Sequence, residues 1–145
     1  LLRHYKVPLT GTKCTIINRS ALVGRPLAHL LLAEDATVTI CHSKSKDLIS
    51  LTRQADVVIT AVGRRPEFIL GREMIKEGAV VVDVAMNRLH GKLMGDAEFE
   101  EVSKNASMIT PVPGGVGPMT VAMLMENTLI ATALQNGLEH AGVLK

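Results

Sequence analysis

Aromatic residues are nearly absent, with one Tyr, two Phe and no Trp in 145 residues, so the interior must be packed from Val, Ile, Leu, Ala and Met. Such a composition favours a buried parallel sheet over an antiparallel sandwich. The same lack removes the stacking platforms that hold single-stranded nucleic acid, and a formal charge of +2 is small for a phosphate-backbone binder, so no nucleic-acid partner is expected. Two cysteines, Cys14 and Cys41, make no disulfide framework, and no signal peptide opens the chain, which reads as cytoplasmic. His4, His29, His42, His90 and His140 stand at no ligand spacing with Cys or acidic residues, so no metal is expected. An uninterrupted apolar run of about 18 residues is also missing. The segment that comes nearest, Met119 to about Asn136, is broken by Glu126, Asn127 and Gln135, and is expected as a core helix lying across the sheet rather than in a membrane.

What remains is 47% hydrophobic with a mean hydropathy of +0.25, enough for one globular domain with a sizeable core. The opening LLRHYKV has no Met and reads as the end of a helix or a linker, as though the chain were cut from something longer. From there β-branched runs alternate with helix formers. Strands are expected at Lys13 to Ile17, Ala36 to Cys41, Asp56 to Ala61, Ala79 to Val84 and Ser107 to Thr110. Helices are expected at Pro26 to Leu32, at Asp47 to Gln54 with Leu48, Ile49 and Leu51 inward, near Glu98 to Asn105, and at the C-terminus, with at most one helical turn at Arg72 to Lys76. Residues 85–96 read as a loop. The fold class is therefore α/β, a Rossmann-like, doubly wound parallel sheet of about five strands with a long C-terminal helix.

Two stretches carry chemistry. In KCTIINRSALVGRPLAHLLL, Lys13 to Leu32, a strand, a tight polar turn and a helix follow one another, and a helix N-terminus offers N–H groups and partial positive charge to a phosphate. The glycine fingerprint G-x-G-x-x-G is missing there. Asn18 and Ser20 stand where its first two glycines would be, and Gly24 comes late, before Arg25 and Pro26. The second stretch is TPVPGGVGP, Thr110 to Pro118, with three prolines and three glycines in nine residues. Between a strand and an apolar helix it suggests backbone brought close to a ligand, against the blander reading of a stiff connector.

With both stretches in view, the chain resembles the bifunctional methylenetetrahydrofolate dehydrogenase/methenyltetrahydrofolate cyclohydrolase family, FolD-like, in its C-terminal nucleotide-binding domain. The resemblance runs from about Leu1 to Leu134. Its most specific piece is Ile109 to Met125, ITPVPGGVGPMTVAMLM, supported by Arg19-Ser20 with Val23-Gly24 and Pro26, by Ala36 to Ser43, by Ala55-Asp56 and by Gly95-Asp96. It implies oxidation of 5,10-methylenetetrahydrofolate by hydride transfer to a nicotinamide, then hydrolysis of the methenyl product to 10-formyltetrahydrofolate, in a protein that is a homodimer when whole. It further implies that Asn18, Arg19, Ser20, Val23, His42 and Ser43 face the cofactor, with Thr60, Ala61 and Gly63 lining it from the third strand and Ala85 and Asn87 from the fourth. Pro113, Gly114, Gly115 and Val116 would border the tetrahydrofolate derivative and the nicotinamide.

The sequence departs from the family where GRS reads Asn18-Arg19-Ser20 and DVGIN reads Asp83-Val84-Ala85-Met86-Asn87. Side chains thus replace two glycines, and Asn18→Gly is expected to tighten dinucleotide binding by removing an amide that crowds the pyrophosphate. The family's Tyr-x-x-x-Lys belongs to an N-terminal catalytic domain, for which residues 1–12 would be the linker to a domain of residues 1–145. No catalytic residue is assigned within this chain, which is expected to be inactive alone. A nucleotide-binding or dimerisation module that has lost turnover is the alternative, its basis being the two replaced glycines. A different Rossmann enzyme, a shikimate or glutamyl-tRNA reductase relative, would share ADVVITAVG but not TPVPGGVGPMT.

The cofactor expected is NADP, and this follows without the family. NAD enzymes usually place an acid at the end of the second strand for the ribose 2′-hydroxyl. Here Cys41-His42-Ser43-Lys44-Ser45-Lys46 offers cations and hydroxyls, with no acid until Asp47, and Arg19 faces it from the first turn.

Overall fold

The computed structural model describes residues 1–138. His140, and the end of the domain assigned to residues 1–145, lie outside them. Five parallel strands form one sheet: β1 (Lys13–Ile17), β2 (Thr37–Cys41), β3 (Val57–Thr60), β4 (Val80–Asp83) and a two-residue strand, Met108–Ile109, at one edge. Between β4 and that edge strand the segment 85–96, expected as a loop, folds into an antiparallel hairpin of β5 (Asn87–Leu89) and β6 (Lys92–Met94), which makes the edge strand β7 in chain order. His90 and Gly91 at its tip both have positive φ, which is what a two-residue hairpin turn of the favoured hand requires.

The order across the sheet is β2-β1-β3-β4-β7. Because β1 lies between β2 and β3, the chain leaves β1 to one side and later returns to the other, so β1 and β3 mark the topological switch point. Alternate residues of β1 serve opposite layers. Cys14 and Ile16 pack with Ala28 and Leu31 of α1 (Gly24–Leu32), while Ile17 joins Val58, Val81, Leu70 and Val102 on the other face. That second face is covered by α2 (Leu48–Arg53), a 3₁₀ turn at Arg72–Met74 and α3 (Phe99–Val102). Fully burying side chains such as Ile16 and Ile59 stabilises the sheet by about 1.5 to 3 kcal/mol each.

Two expectations need correction. Ile49 is exposed, and the face of α2 turned inward carries Leu48, Leu51 and the buried Thr52, whose hydroxyl donates to the Leu48 and Ile49 carbonyls. More consequentially, α4 (Val116–Gln135) is not a core helix, since none of its side chains is buried. Val121, Leu124, Met125 and Leu129 are each more than 60% exposed, so its apolar character has no partner among the described residues. Beside its start, an apolar groove of about 650 Å³ runs over Val80, Val82 and Met108, walled by Leu2, Pro111 and Met119. No helix of the described residues is long and apolar enough to cross a membrane.

Candidate functional site

The loops that leave the carboxyl ends of β1, β2, β3, β4 and β7 all rise from one edge of the sheet, and the residues expected at the cofactor and the folate derivative lie in or beside them. In an open parallel sheet that edge, at the switch point, is where ligands bind.

The turn after β1 is built around Asn18. Its Oδ1 accepts from the Ser20 N–H at 2.7 Å and the Gly24 N–H at 3.0 Å, and its Nδ2 donates to the Ala61 carbonyl at 2.6 Å. Ser20 Oγ takes the Val23 N–H, and the Ser20 carbonyl takes that of Arg25. The first N–H groups of α1 are therefore spent inside the turn, and a phosphate there would meet the helix's positive end rather than a row of free donors. Arg19 remains exposed at the tip. Gly24 is the glycine that this turn cannot replace, because a Cβ would overlap the Asn18 carbonyl. Neither Asn18 nor Ala85 has positive φ, so both replace a family glycine without backbone strain. Ala85 is buried, and the Asn18 amide is turned into the loop rather than left to crowd an entering pyrophosphate.

After β2 the chain turns back on itself, the His42 N–H donating to Ser45 Oγ at 2.9 Å and the Lys44 N–H to His42 Nδ1 at 3.1 Å. Lys44, Lys46 and Ser43 are exposed. Asp47, the first acid beyond the strand, adopts a left-handed conformation and caps α2, its carboxylate accepting from the Ser50 N–H.

The floor between β3 and β4 is held by buried polar groups. Thr60, Asn87 and Asp96 are all buried, so Thr60 and Asn87 support the cleft from beneath, while Ala61 and Gly63 are the more accessible residues of that loop. The Asp96 carboxylate accepts from Thr60 Oγ1, the Val62 and Gly63 N–H groups and Asn87 Nδ2. Sequence reasoning noted Asp96 only within the matched pair Gly95-Asp96, because nothing local shows that a hairpin will bring it back under β3. Asp83 accepts from the Ala97 N–H at 2.7 Å and the Ala85 N–H at 3.1 Å, a loop-capping acid as expected, and burial pushes its carboxyl up from the ordinary value. Arg65 reaches the Ala97 carbonyl, pairs with Glu98 and lines a small cavity of about 130 Å³, while its buried Nε has no hydrogen-bond partner among the described residues.

On the far side of the edge, Pro113 and Gly114 are exposed and Gly115 and Val116 half-buried where the loop after β7 enters α4. Gly114 has a φ of 101°, which favours glycine, and a Cβ on Gly115 would overlap the Pro111 carbonyl. Cys14 and Cys41 are both free and buried, Cys14 pairing in register with Val38 and Cys41 with Ile17, three residues apart along the sheet. Among the described residues no group of three His, Cys, Asp or Glu side chains could hold a metal ion.

Comparison with known proteins bears on this edge. Residues 1–136 match the family described as tetrahydrofolate dehydrogenase/cyclohydrolase, NAD(P)-binding domain. The bifunctional protein FolD of Cenarchaeum symbiosum is 56% identical over 140 residues, which is 97% of this chain and 50% of that protein. The crystal structure of the bifunctional FolD methylenetetrahydrofolate dehydrogenase/cyclohydrolase from Campylobacter jejuni superposes with a TM-score of 0.86 at 53% identity, covering 94% of this chain and 48% of that one. The Trypanosoma brucei enzyme, solved with NADP cofactor and inhibitor, gives 0.80 at 41% identity over 88% of this chain and 46% of that one. The chain spans about half the length of the curated relatives it matches.

Proposed function

We propose, for a chain that belongs to the tetrahydrofolate dehydrogenase/cyclohydrolase family by its NAD(P)-binding domain, that it holds NADP for the oxidation of 5,10-methylenetetrahydrofolate in a longer bifunctional enzyme. The observation that carries this reading is the basic surface between the turns after β1 and β2. Arg19, Lys44 and Lys46 are exposed there, and Asp47, the one nearby carboxylate, is engaged at the cap of α2. A 2′-phosphate fits a surface with three exposed cations and one capping acid better than a bare ribose 2′-hydroxyl does.

The residues present fit a dinucleotide laid across the switch point. Arg19 and Ser20 would take the pyrophosphate side, and His42, Ser43 and Arg19 the 2′-phosphate. Ala61, Gly63 and the backbone near Ala85 would form the wall, with Asn18, Thr60 and Asn87 fixing the loops behind it and Val23 closing the helix entry. Pro113, Gly114, Gly115 and Val116 would border the folate derivative and keep water from the nicotinamide. When bound, the nicotinamide supplies the hydride acceptor. The chain contributes orientation and exclusion of solvent, which is where much of such a rate arises.

No general base is assigned among these residues. Residues 1–12 are read as a linker from a preceding catalytic domain, and the uncovered apolar surface of α4 is one that such a domain would bury in part. The whole protein is read as a cytoplasmic homodimer with no nucleic-acid partner. The alternative of a module that has lost turnover is weakened, because Asn18 and Ala85 sit without strain, Ala85 buried and the Asn18 amide bonded within its loop. Calorimetric titration with NADP tests the reading, with saturable one-to-one binding expected. An absence of binding, or hydrolysis of the methenyl substrate by this chain alone, would overturn it.

A further inference from the structure

Asp96 has no exposed surface, yet every donor it engages by its carboxylate belongs to the exits of β3 and β4. Oδ2 accepts from Thr60 Oγ1 and from the Val62 N–H, both at 2.7 Å, and Oδ1 accepts from the Gly63 N–H at 3.0 Å and Asn87 Nδ2 at 3.2 Å. Asn87 closes a ring, its Oδ1 accepting the Arg65 N–H at 3.0 Å. Gly63 has a φ of 65°, so Asp96 fixes the N–H of the residue at which the β3 loop turns left-handed. Thr60 and Asp83 are paired in register, so their exits start side by side, and the β5–β6 hairpin that follows Asp83 returns the chain so that Asp96 lies beneath both.

We propose that Asp96 is a positioning residue for the dinucleotide cleft, one buried carboxylate that sets the β3 and β4 loops relative to each other. The proposal rests on the NADP-binding reading above and deepens it. Each carboxylate oxygen accepts two hydrogen bonds, so an amide at this place fails whichever way it is turned. Its NH₂ group always faces a backbone N–H that can only donate, that of Val62 on one side or of Gly63 on the other, since the Thr60 hydroxyl alone can turn to accept. The Val62 and Gly63 peptides would then rotate to find other acceptors, and they belong to the cleft wall beside Ala61. The Ala61–Val62 peptide is also held by Asn18 from the turn after β1, but none of these groups belongs to the loop after β2, so the effect falls on the part of the dinucleotide common to NAD and NADP.

The test is dinucleotide titration of this chain as Asp96→Asn, Thr60→Val and Thr52→Val, each at a temperature where circular dichroism shows it folded. Asp96→Asn should weaken NADP and NAD by the same factor, about tenfold or more, and Thr60→Val, which removes a single bond to Asp96, by a smaller factor of about three. Thr52 is buried with its hydroxyl bonded only within α2, so Thr52→Val should lower the melting temperature and leave both affinities unchanged. Wild-type affinity in Asp96→Asn overturns the proposal, as does an affinity loss in Thr52→Val that scales with its loss of stability. If Asp96→Asn does not fold, Thr60→Val decides, and unchanged affinity there overturns it. A wild-type chain that binds no dinucleotide defeats the underlying reading and the proposal with it, whereas normal wild-type binding with unaffected variants defeats the proposal alone.

Discussion

The side-chain amide of Asn18 donates to the main-chain oxygen of Ala61 at 2.6 Å, tying the exits of β1 and β3 together across 43 residues. Those strands flank the switch point, so this bond spans the cleft's base. Replacing Asn18 by Gly removes that bond and two to the N–H groups of Ser20 and Gly24. The sequence alone suggests relief of crowding and tighter binding; the geometry implies the reverse. Asn18→Gly should lose about 2 kcal/mol of stability and bind NADP several-fold more weakly. Tighter binding by calorimetry would mean that the amide obstructs the pyrophosphate after all.

Arg19 is the exposed cation of the turn after β1, and β1 is the neighbour of β2, whose following loop has as its first acid the helix-capping Asp47. NADP should therefore bind at least tenfold more tightly than NAD, and Arg19→Ala should cost NADP more than NAD. Competition titration of the two cofactors measures both quantities. Equal affinities, or equal losses, would count against a 2′-phosphate site.

Two carboxyls give the pH dependence of stability opposite slopes in separate windows. Burial raises Asp83 above its ordinary 3.8, so between that value and the higher folded one the native state holds more protons than the unfolded chain, and stability falls as pH rises. The Lys76 ammonium, at 2.5 Å, lowers Asp56 below 3.8, so its contribution is present above that value and lost as pH falls through the folded one. Urea midpoints against pH should show Asp83→Asn flattening the upper window only and Asp56→Asn the lower only. A single slope abolished by both variants would refute the assignment.

Gly95 lies against Asp83, and a Cβ there would overlap its carboxylate. Since Asp83 holds the Ala85 and Ala97 N–H groups, no free direction remains for it to retreat. Gly95→Ala should destabilise by about 2 to 3 kcal/mol, read from chemical denaturation. A change near zero would show that the β4 exit yields easily.

Burial pushes the Cys14 thiol up to about 11 and raises Cys41 as well. Because the thiolate is the reactive form, neither cysteine should react with a thiol reagent in the folded chain, and both should react once denaturant is added. Rapid labelling of a folded thiol would indicate local opening of β1 or β2.

The parallel core was legible because its signals are local. Lys13–Ile17, carried by the β-branched Thr15, Ile16 and Ile17, has its expected bounds, and the other strands differ from expectation by a single residue at one or both ends. The hairpin at 87–94 was not, since Asn87–Leu89 and Lys92–Met94 are too short and polar for a period-two pattern, and only His90-Gly91 hints at the turn. Of the candidate site, the positions of Arg19, His42 and the Thr110–Pro118 loop followed from the alternation of strands and helices. The burial of Thr60 and Asn87 under Asp96 did not, because it depends on contacts 9 to 36 residues apart. The placement of α4 failed for a different reason. Hydrophobicity says that a helix will be covered, not by what.

That helix has a further consequence. Its leucines, methionines and valines point in all directions, with no polar side to turn toward water. Exposed apolar segments of this kind are what chaperones hold and proteases cut, and the abundance of a protein in a cell follows how often such surface is shown. The survival time of this chain is therefore set less by its tightly packed sheet than by whatever shields α4.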